Sequence, residues 1–389
     1  MKRTALVILG STGSIGRSTL NVVDHFRARF RIKALAAHRN LDLLLRQARR
    51  YRPEALVLGD PEAAAELRRR VRALQPAPRV LSGPEGLAQA AAWPGATLVV
   101  SALVGTAGLL PTLAAIRAGR DVALANKETL VMAGDLVMAE VRRRRTRLLP
   151  VDSEHAALAQ CLEGRNPAEV RRLVLTASGG PFVHTPAIRL RRVTARQALR
   201  HPTWSMGRKV TIDSSTLMNK GLEIIEAHHL FGVPYDRIEV VIHPQSLVHS
   251  LVEFDDGSVL AQLATPDMRL PIQAALSAPG RWGRIIRPLN WRSRRRLDFY
   301  PPDTRRFPGL ALAYRAGRKG GTAPAAFNAA NEIAVSAFLE GRLDFQGIPR
   351  VIAGVLNRHR ETGVYSLARV LAQDAWARNA AQEELACKP

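Results

Sequence analysis

Three carboxylates and a set of neighbouring donors carry the most chemistry in this sequence. Leu148-Leu149-Pro150-Val151-Asp152-Ser153-Glu154-His155 reads as a strand end, where residues two apart point the same way. Asp152 and Glu154 would then present carboxylates side by side, and such neighbours repel unless a cation or a shared proton intervenes. A divalent cation resolves that repulsion; a solvated acidic strand end is the plain alternative. A second cluster runs from Asp213 through Ser214, Asn219 and Lys220 to Glu223, with the composition of a loop feeding a helix. Asn219 and Lys220 fall four and three residues before Glu223, on one helical face. Glu223 offers a third oxygen ligand, and carboxylates without a nearby cysteine suit Mg2+ or Mn2+ rather than zinc. Ser214, Asn219 and Lys220 are donors of the kind that hold a phosphate, and Thr176-Ala177-Ser178-Gly179-Gly180-Pro181 adds hydroxyl and backbone donors. His201-Pro202-Thr203-Trp204-Ser205-Met206-Gly207 is a candidate lid that excludes water; a tryptophan anchoring a surface turn is the alternative.

A different chemistry sits in Gly10-Ser11-Thr12-Gly13-Ser14-Ile15-Gly16, which follows an apolar strand and opens a helix expected near Arg17. The spacing is a variant of the dinucleotide fingerprint. Glycines let the backbone turn sharply and approach a pyrophosphate, whose charge meets helix N-terminal N–H groups. An NAD-selective site places an acidic residue about 20 residues on. Here the second strand ends Ala36-Ala37-His38-Arg39-Asn40, without a carboxylate. Arg39 can pair with a 2′-phosphate and Asn40 can donate to it, so NADPH is expected over NADH. A plain surface arginine is the competing reading of Arg39.

These residues need a scaffold. Residues 1–149 alternate β-rich runs with helical patterns, the signature of a parallel sheet wound with helices. Strands are expected over 4–9, 31–36, 55–58, 97–101 and 121–125. Residues 150–277 mix strands (172–177, 239–242, 250–254, 259–263) with helices, and Asp255-Asp256-Gly257 has the chemistry of a hairpin turn. Residues 278–303, rich in proline and arginine, read as a linker. Residues 304–389 are helical in pattern, with a break near 317–321 and a restart at Phe327, and predict a small bundle. The fold class is therefore α/β: a Rossmann-like first domain, a central α+β domain and a C-terminal helical bundle.

The chain has 389 residues, and its formal net charge of +24 suggests nucleic acid at first sight. The arginines fall in short runs such as 68–70, 142–145 and 294–296 without interleaved aromatics, the pattern of solvated faces. No nucleic-acid partner is expected. No apolar run is long enough to cross a bilayer, so no membrane partner is expected. Cys161 and Cys387 make no metal or disulfide spacing, and the cytoplasm is the expected compartment.

Taken in order, these motifs resemble those of the 1-deoxy-D-xylulose 5-phosphate reductoisomerases over essentially the whole chain. The resemblance also rests on Ala125-Asn126-Lys127-Glu128-Thr129, His243-Pro244-Gln245-Ser246, Pro266-Asp267-Met268-Arg269 and Phe327-Asn328-Ala329-Ala330-Asn331-Glu332. It implies rearrangement of 1-deoxy-D-xylulose 5-phosphate, a small phosphorylated sugar, by retro-aldol/aldol steps or a ketol shift. NADPH reduction then gives 2-C-methyl-D-erythritol 4-phosphate, on the non-mevalonate route to isoprenoids. It implies Asp152, Glu154 and Glu223 as ligands of Mg2+, Mn2+ or Co2+, and Ser178, His201, Ser214, Asn219 and Lys220 as the phosphate grip. Ser153 and Lys127 would contact substrate near the metal, with Lys127 meeting oxyanion charge. Thr12, Gly13, Ser14, Ile15, Arg39, Asn40, Asn126, Glu128 and Gly207 match cofactor positions, Trp204 and Met206 a flap over 201–207. The resemblance also implies a homodimer formed through the central domain. Two departures stand out: His38 replaces a small residue beside the 2′-phosphate, and Ala156-Ala157 replaces a Ser-Ala pair. A plain NADP-dependent dehydrogenase is the rival enzyme; it needs neither clustered carboxylates nor an isomerised product. An arginine-rich nucleic-acid binder is the rival of another class, and steeply salt-dependent binding without turnover would mark it.

Overall fold

A computed structural model describes residues 3–204, 206–293, 296–360 and 365–386. Ser205 of the expected lid, Arg294 and Arg295 of one arginine run, and Cys387 lie outside the described residues. Packing divides the chain into two compact units. The first comprises residues 1–129, 137–156 and 267–287; the second comprises 130–136, 157–266 and 288–389.

The first unit holds a seven-stranded parallel sheet. Its strands are β1 (Thr4–Leu9), β2 (Phe30–Ala37), β3 (Ala55–Leu58), β4 (Arg79–Ser82), β5 (Leu98–Ser101), β6 (Asp121–Leu124) and β7 (Leu148–Pro150). They pair in the order β4-β3-β2-β1-β5-β6-β7. Strands such as β3 (ALVL) are buried throughout, because crossover helices cover both faces of a parallel sheet. β4 has no counterpart in the sequence reading: it is an edge strand on which only Leu81 is buried, so its pattern is weak. The strand order reverses between β1 and β5, the switch point at which open α/β sheets bind ligands. Helix Arg269–Ser277 returns to this unit and packs Ile272, Ala275 and Leu276 into its core. Trp282 follows, its ring 5.1 Å from Phe26 and 5.5 Å from Phe30.

The second unit is built on a mixed sheet of β8 (Val170–Ala177), β9 (Ile238–Ile242), β10 (Val248–Phe254) and β11 (Val259–Leu263), in the order β11-β10-β8-β9. β8 and β9 are parallel, and β10 runs antiparallel to β8 and β11. The expected hairpin joins β10 to β11, with Gly257 at φ +83° and Asp256 accepting from Ser258 N. Helices Gly309–Lys319, Ala323–Leu339, Gly347–Arg358 and Leu367–Ala386 form the C-terminal bundle. The bundle restarts at Ala323, four residues before the expected Phe327. It shares one hydrophobic core with the sheet, joining Leu173 and Val252 to Phe327, Ile352 and Ala377. Between 278 and 303 the described residues form no helix or strand, apart from a bridge from Tyr300 to Ile242.

Candidate active site

In the first unit the chain leaves β1 through Gly10 at φ +90°, a conformation that favours glycine. A Cβ there would lie 2.3 Å from Ala102 O, and one at Gly16 would lie 2.2 Å from Gly10 O. The loop is fixed from behind. Gly10 N and Ser11 N both donate to Ala36 O, and buried Ser11 and Gln47 exchange two hydrogen bonds of 2.7 and 2.9 Å. The following helix is Ser14–His25, starting three residues before the expected Arg17 because its cap is Gly13 and no side chain marks the start. Ser14 and Ile15 are thus first-turn residues, and their end of the helix offers uncapped N–H groups to an anion.

At the end of β2, Arg39 is 75% exposed and gives its Nε to Asp60 Oδ2 at 3.0 Å. Asp60 also caps helix Pro61–Arg70, accepting from Ala63 N. Nothing in the local sequence announced Asp60, which lies 21 residues from Arg39. Asn40 Oδ1 caps helix Leu41–Tyr51, leaving its amide nitrogen as the donor. His38 lies against Gly59, where a Cβ would come within 2.7 Å of the imidazole Nδ1. Asn126 is buried and donates to Leu103 O, Gly105 O and Glu128 Oε2 at 2.8–3.0 Å, so it ties the turn after β5 to the next helix.

Lys127 Nζ lies 2.5 Å from Asp152 Oδ2. Asp152 and Glu154 do not alternate along a strand, as the sequence suggested. β7 ends at Pro150, and helix Ser153–Leu162 begins immediately, with Ala156 N donating to Asp152 O at 2.8 Å. Both carboxylates therefore sit at a helix start, where the backbone dipoles favour negative charge. Ser153 Oγ donates to the Glu154 carboxylate, and His155 is fully buried behind Asp152.

In the second unit, one imidazole joins two serines. His201 Nε2 is 3.0 Å from Ser178 Oγ and 3.1 Å from Ser214 Oγ. Its Nδ1 accepts from Thr203 N and Trp204 N at 3.1 and 2.9 Å, so Nε2 carries the proton and faces the hydroxyls. Burial holds the His201 pKa below the ordinary imidazole value. Ser178 also accepts from Gly180 N, across the tight turn at Gly179 and Gly180. Of the expected flap, the Trp204 ring lies 6.3 Å from that of His249, Met206 is half-buried, and Gly207 caps helix Arg208–Ser215.

Asp213, Ser214 and Ser215 are the last turn of that helix rather than a loop. The Asp-Ser-Ser-Thr composition misleads because tertiary burial overrides it: Asp213 and Ser215 are fully buried. Lys209 Nζ and Asn331 Nδ2 each reach Asp213 at 2.9 Å and fix the turn that carries Ser214. The chain breaks at Thr216 and Leu217, the latter at φ +59°, and resumes as helix Met218–Phe231. On that helix Asn219 and Lys220 both donate to Glu223, on the one face that the spacing predicted. The oxygen-only donor set fits a hard divalent cation, and Lys127 and Lys220 already hold positive charge against Asp152 and Glu223.

Family models match three stretches. The 1-deoxy-D-xylulose 5-phosphate reductoisomerase model covers residues 6–134, and two models of the C-terminal domain of these enzymes cover 148–231 and 263–380. The chain is 53% identical over 374 residues to the 1-deoxy-D-xylulose 5-phosphate reductoisomerase of Synechococcus sp. (strain JA-2-3B'a(2-13)), covering 96% of this chain and 95% of that one. It matches the structure of the Zymomonas mobilis reductoisomerase in complex with NADPH at a TM-score of 0.93 and 42% identity over the full length of both. A reductoisomerase structure in complex with NADPH, fosmidomycin and magnesium matches at 0.94 and 41% identity, over 98% of each chain. A glycine cradle, a histidine set between two serines and carboxylates held by lysines thus occur in a chain about half identical to its relatives, and the chain belongs to the 1-deoxy-D-xylulose 5-phosphate reductoisomerase family.

Proposed function

We infer that this chain converts 1-deoxy-D-xylulose 5-phosphate to 2-C-methyl-D-erythritol 4-phosphate, oxidising NADPH and requiring a divalent cation. The observation that carries this reading is the His201–Ser178–Ser214 donor set, on the unit that also carries Asn219, Lys220 and Glu223. A plain dehydrogenase has no use for that combination. Asp152, Glu154 and Glu223 would hold Mg2+, Mn2+ or Co2+, which when bound supplies Lewis-acid polarisation of a substrate carbonyl. Ser178, His201, Ser214, Asn219 and Lys220 grip the phosphate, and that remote binding energy orients the reacting carbons. Ser153 binds substrate beside Glu154, and Lys127 meets developing oxyanion charge. Trp204 and Met206 close over the site and exclude water.

The rearrangement keeps every atom and yields an aldehyde, which takes a hydride and a proton to become the alcohol. NADPH, when bound, would supply the hydride. Thr12, Gly13, Ser14 and Ile15 take its pyrophosphate, Arg39 and Asn40 its 2′-phosphate, and Asn126, Glu128 and Gly207 shape the remainder of its pocket. We assign the cofactor to residues 1–149, catalysis and dimerisation to 150–277, the linker to 278–303 and a helical region to 304–389, although 267–287 pack with the first unit and the C-terminal helices share the core of the central sheet. A homodimer is supported by β11, which among the described residues is an edge strand paired with β10 alone and leaves Val259 50% exposed. We place the enzyme in the cytoplasm; among the described residues no helix is long and apolar enough to cross a membrane. The test is NADPH consumption with 1-deoxy-D-xylulose 5-phosphate, with and without Mg2+ or Mn2+, and NMR of the product. A branched polyol formed only with metal is expected. Metal-independent reduction without a rearranged skeleton would overturn the reading.

A further inference from the structure

Helices Gly309–Lys319 and Gly347–Arg358 begin beside one cavity of the second unit, which encloses about 590 Å³. That volume falls in the range of sites that hold small organic ligands. The floor is apolar, with Phe307, Leu312, Phe345 and Ala353 among its lining, and Phe307 and Phe345 are buried. The charged lining is one-sided: Arg191, Arg305, Arg306 and Arg350 face a single carboxylate, Asp344.

Two of these arginines are committed. Arg306 gives its Nη atoms to Thr185 O and Val183 O at 2.7 and 2.9 Å, and its Nε to Asp303. Arg350 pairs with Asp344 at 3.2 Å, and Asp344 Oδ1 also accepts from Gly347 N at the start of helix Gly347–Arg358. Among the described residues, Arg191 and Arg305 have no side-chain hydrogen bond or ion pair, and both stand exposed to solvent at the rim of the cavity. Helix Gly309–Lys319 has Pro308 at its cap position and no side-chain cap, so its first N–H groups have no side-chain partner. Two uncommitted guanidinium groups and an uncapped helix start above an apolar floor call for an anion that carries an apolar body.

The same cavity touches the helix break described above. Thr216 lines it, and Gly309 packs so closely behind the break that a Cβ there would lie 2.8 Å from Met218 Sδ and 3.0 Å from Thr216 O. A ligand that shifts the start of helix Gly309–Lys319 therefore pushes on the junction between the helix carrying Ser214 and the helix carrying Asn219, Lys220 and Glu223.

We propose that this cavity is a second binding site, for an amphiphilic organic phosphate, and that its occupancy acts on the substrate-phosphate grip through the Thr216–Leu217 break. The phosphate meets Arg191 and Arg305, and a short alkyl or alkenyl body lies on Phe307 and Phe345. The action on the grip rests on the proposed roles of Ser214, Asn219 and Lys220; the binding itself does not.

The test is calorimetric titration of the full-length protein with n-hexyl phosphate, alongside inorganic phosphate, hexan-1-ol and hexanoate. One site per chain is expected, weakened at least about tenfold by Arg191→Ala/Arg305→Ala, the loss of two charge-assisted contacts. Ala353→Phe, which adds bulk to the lining of the cavity, gives the same loss if the arginine variant folds poorly. Lys220→Ala retains the binding; if it alone abolishes it, the ligand sits in the substrate site and the proposal fails. Inorganic phosphate or hexanol binding as tightly as hexyl phosphate overturns the amphiphilic assignment, and hexanoate binding as tightly overturns the phosphate. In turnover assays, saturating hexyl phosphate shifts the KM of the phosphorylated substrate at least about twofold in the wild type and not in the arginine variant. Binding without that shift overturns the action on the break.

Discussion

The glycine loop permits a quantitative test at Gly16. In Gly16→Ala the new methyl would sit 2.2 Å from Gly10 O and 2.5 Å from Ser11 Cα, whereas ordinary contact begins near 3.4 Å. Both obstacles are backbone, and both are anchored through Ala36 O and Gln47. The start of helix Ser14–His25 must therefore move by about 1 Å, an overpacking that costs about 1–3 kcal/mol of stability. On the proposed cofactor site, the same movement takes first-turn N–H groups off the pyrophosphate. Losing two hydrogen bonds to a charged group, at roughly 1.5–3 kcal/mol each, weakens NADPH by at least about a hundredfold. Fluorescence titration of NADPH reads the affinity and a thermal melt reads the stability. Gly13→Ala is the internal control: its methyl would lie 3.4 Å from Gly10 O and the backbone is at φ −74°, so the protein itself tolerates it. The reasoning is refuted if Gly16→Ala binds NADPH within about threefold of the wild type, or if Gly13→Ala destabilises the fold as much.

Arg39→Asp removes the proposed 2′-phosphate partner and sets a second carboxylate beside Asp60, so the ratio of kcat/KM for NADPH over NADH should fall at least about tenfold; an unchanged ratio would exclude Arg39 as the discriminator. Glu223→Gln should abolish metal-dependent turnover while leaving the NADPH dissociation constant within about twofold, and retained activity would remove Glu223 from the ligand set. Burial in β10 pushes the His249 pKa down to about 4. The unfolded chain takes that proton near pH 6.5, so stability is complete above that value and is lost as pH falls toward 4. The loss at pH 5 is about 2 kcal/mol. Urea midpoints at the two ends of this window should diverge less in His249→Gln than in the wild type, and parallel shifts would assign the acid sensitivity elsewhere.

Legibility in the sequence followed the range of the interactions. The Gly10–Gly16 loop and the Asn219–Lys220–Glu223 face depend on residues a few positions apart, so spacing alone located them. The same holds for β1, β3 and the 255–257 turn. The Arg39–Asp60 pair, the Ser11–Gln47 exchange and the Asp213–Asn331 bond join residues 21, 36 and 118 positions apart, and no local pattern marks them. Two errors arose where composition and packing disagree. The apolar run Leu148–Val151 made Asp152 and Glu154 look like strand residues, although a helix starts directly after it. The polar run after Asp213 looked like a loop, although buried contacts hold it helical. The sequence reading leaves residues 269–277 in the central domain, since their place in the first unit depends on what the buried face of that helix meets.

That late return bears on how the protein is made. The seven-stranded sheet is complete in sequence by Pro150, yet its core still lacks Ile272, Ala275, Leu276 and the Trp282 ring over Phe26 and Phe30. On a ribosome the first unit emerges early and remains unfinished for more than a hundred further codons, until residue 287 has cleared the exit tunnel. Its nascent surface over those rings stays apolar and open throughout that interval, which makes it a segment for chaperones to hold. A polypeptide released between residues 150 and 267 should accordingly aggregate or be degraded rather than persist as a free nucleotide-binding fragment.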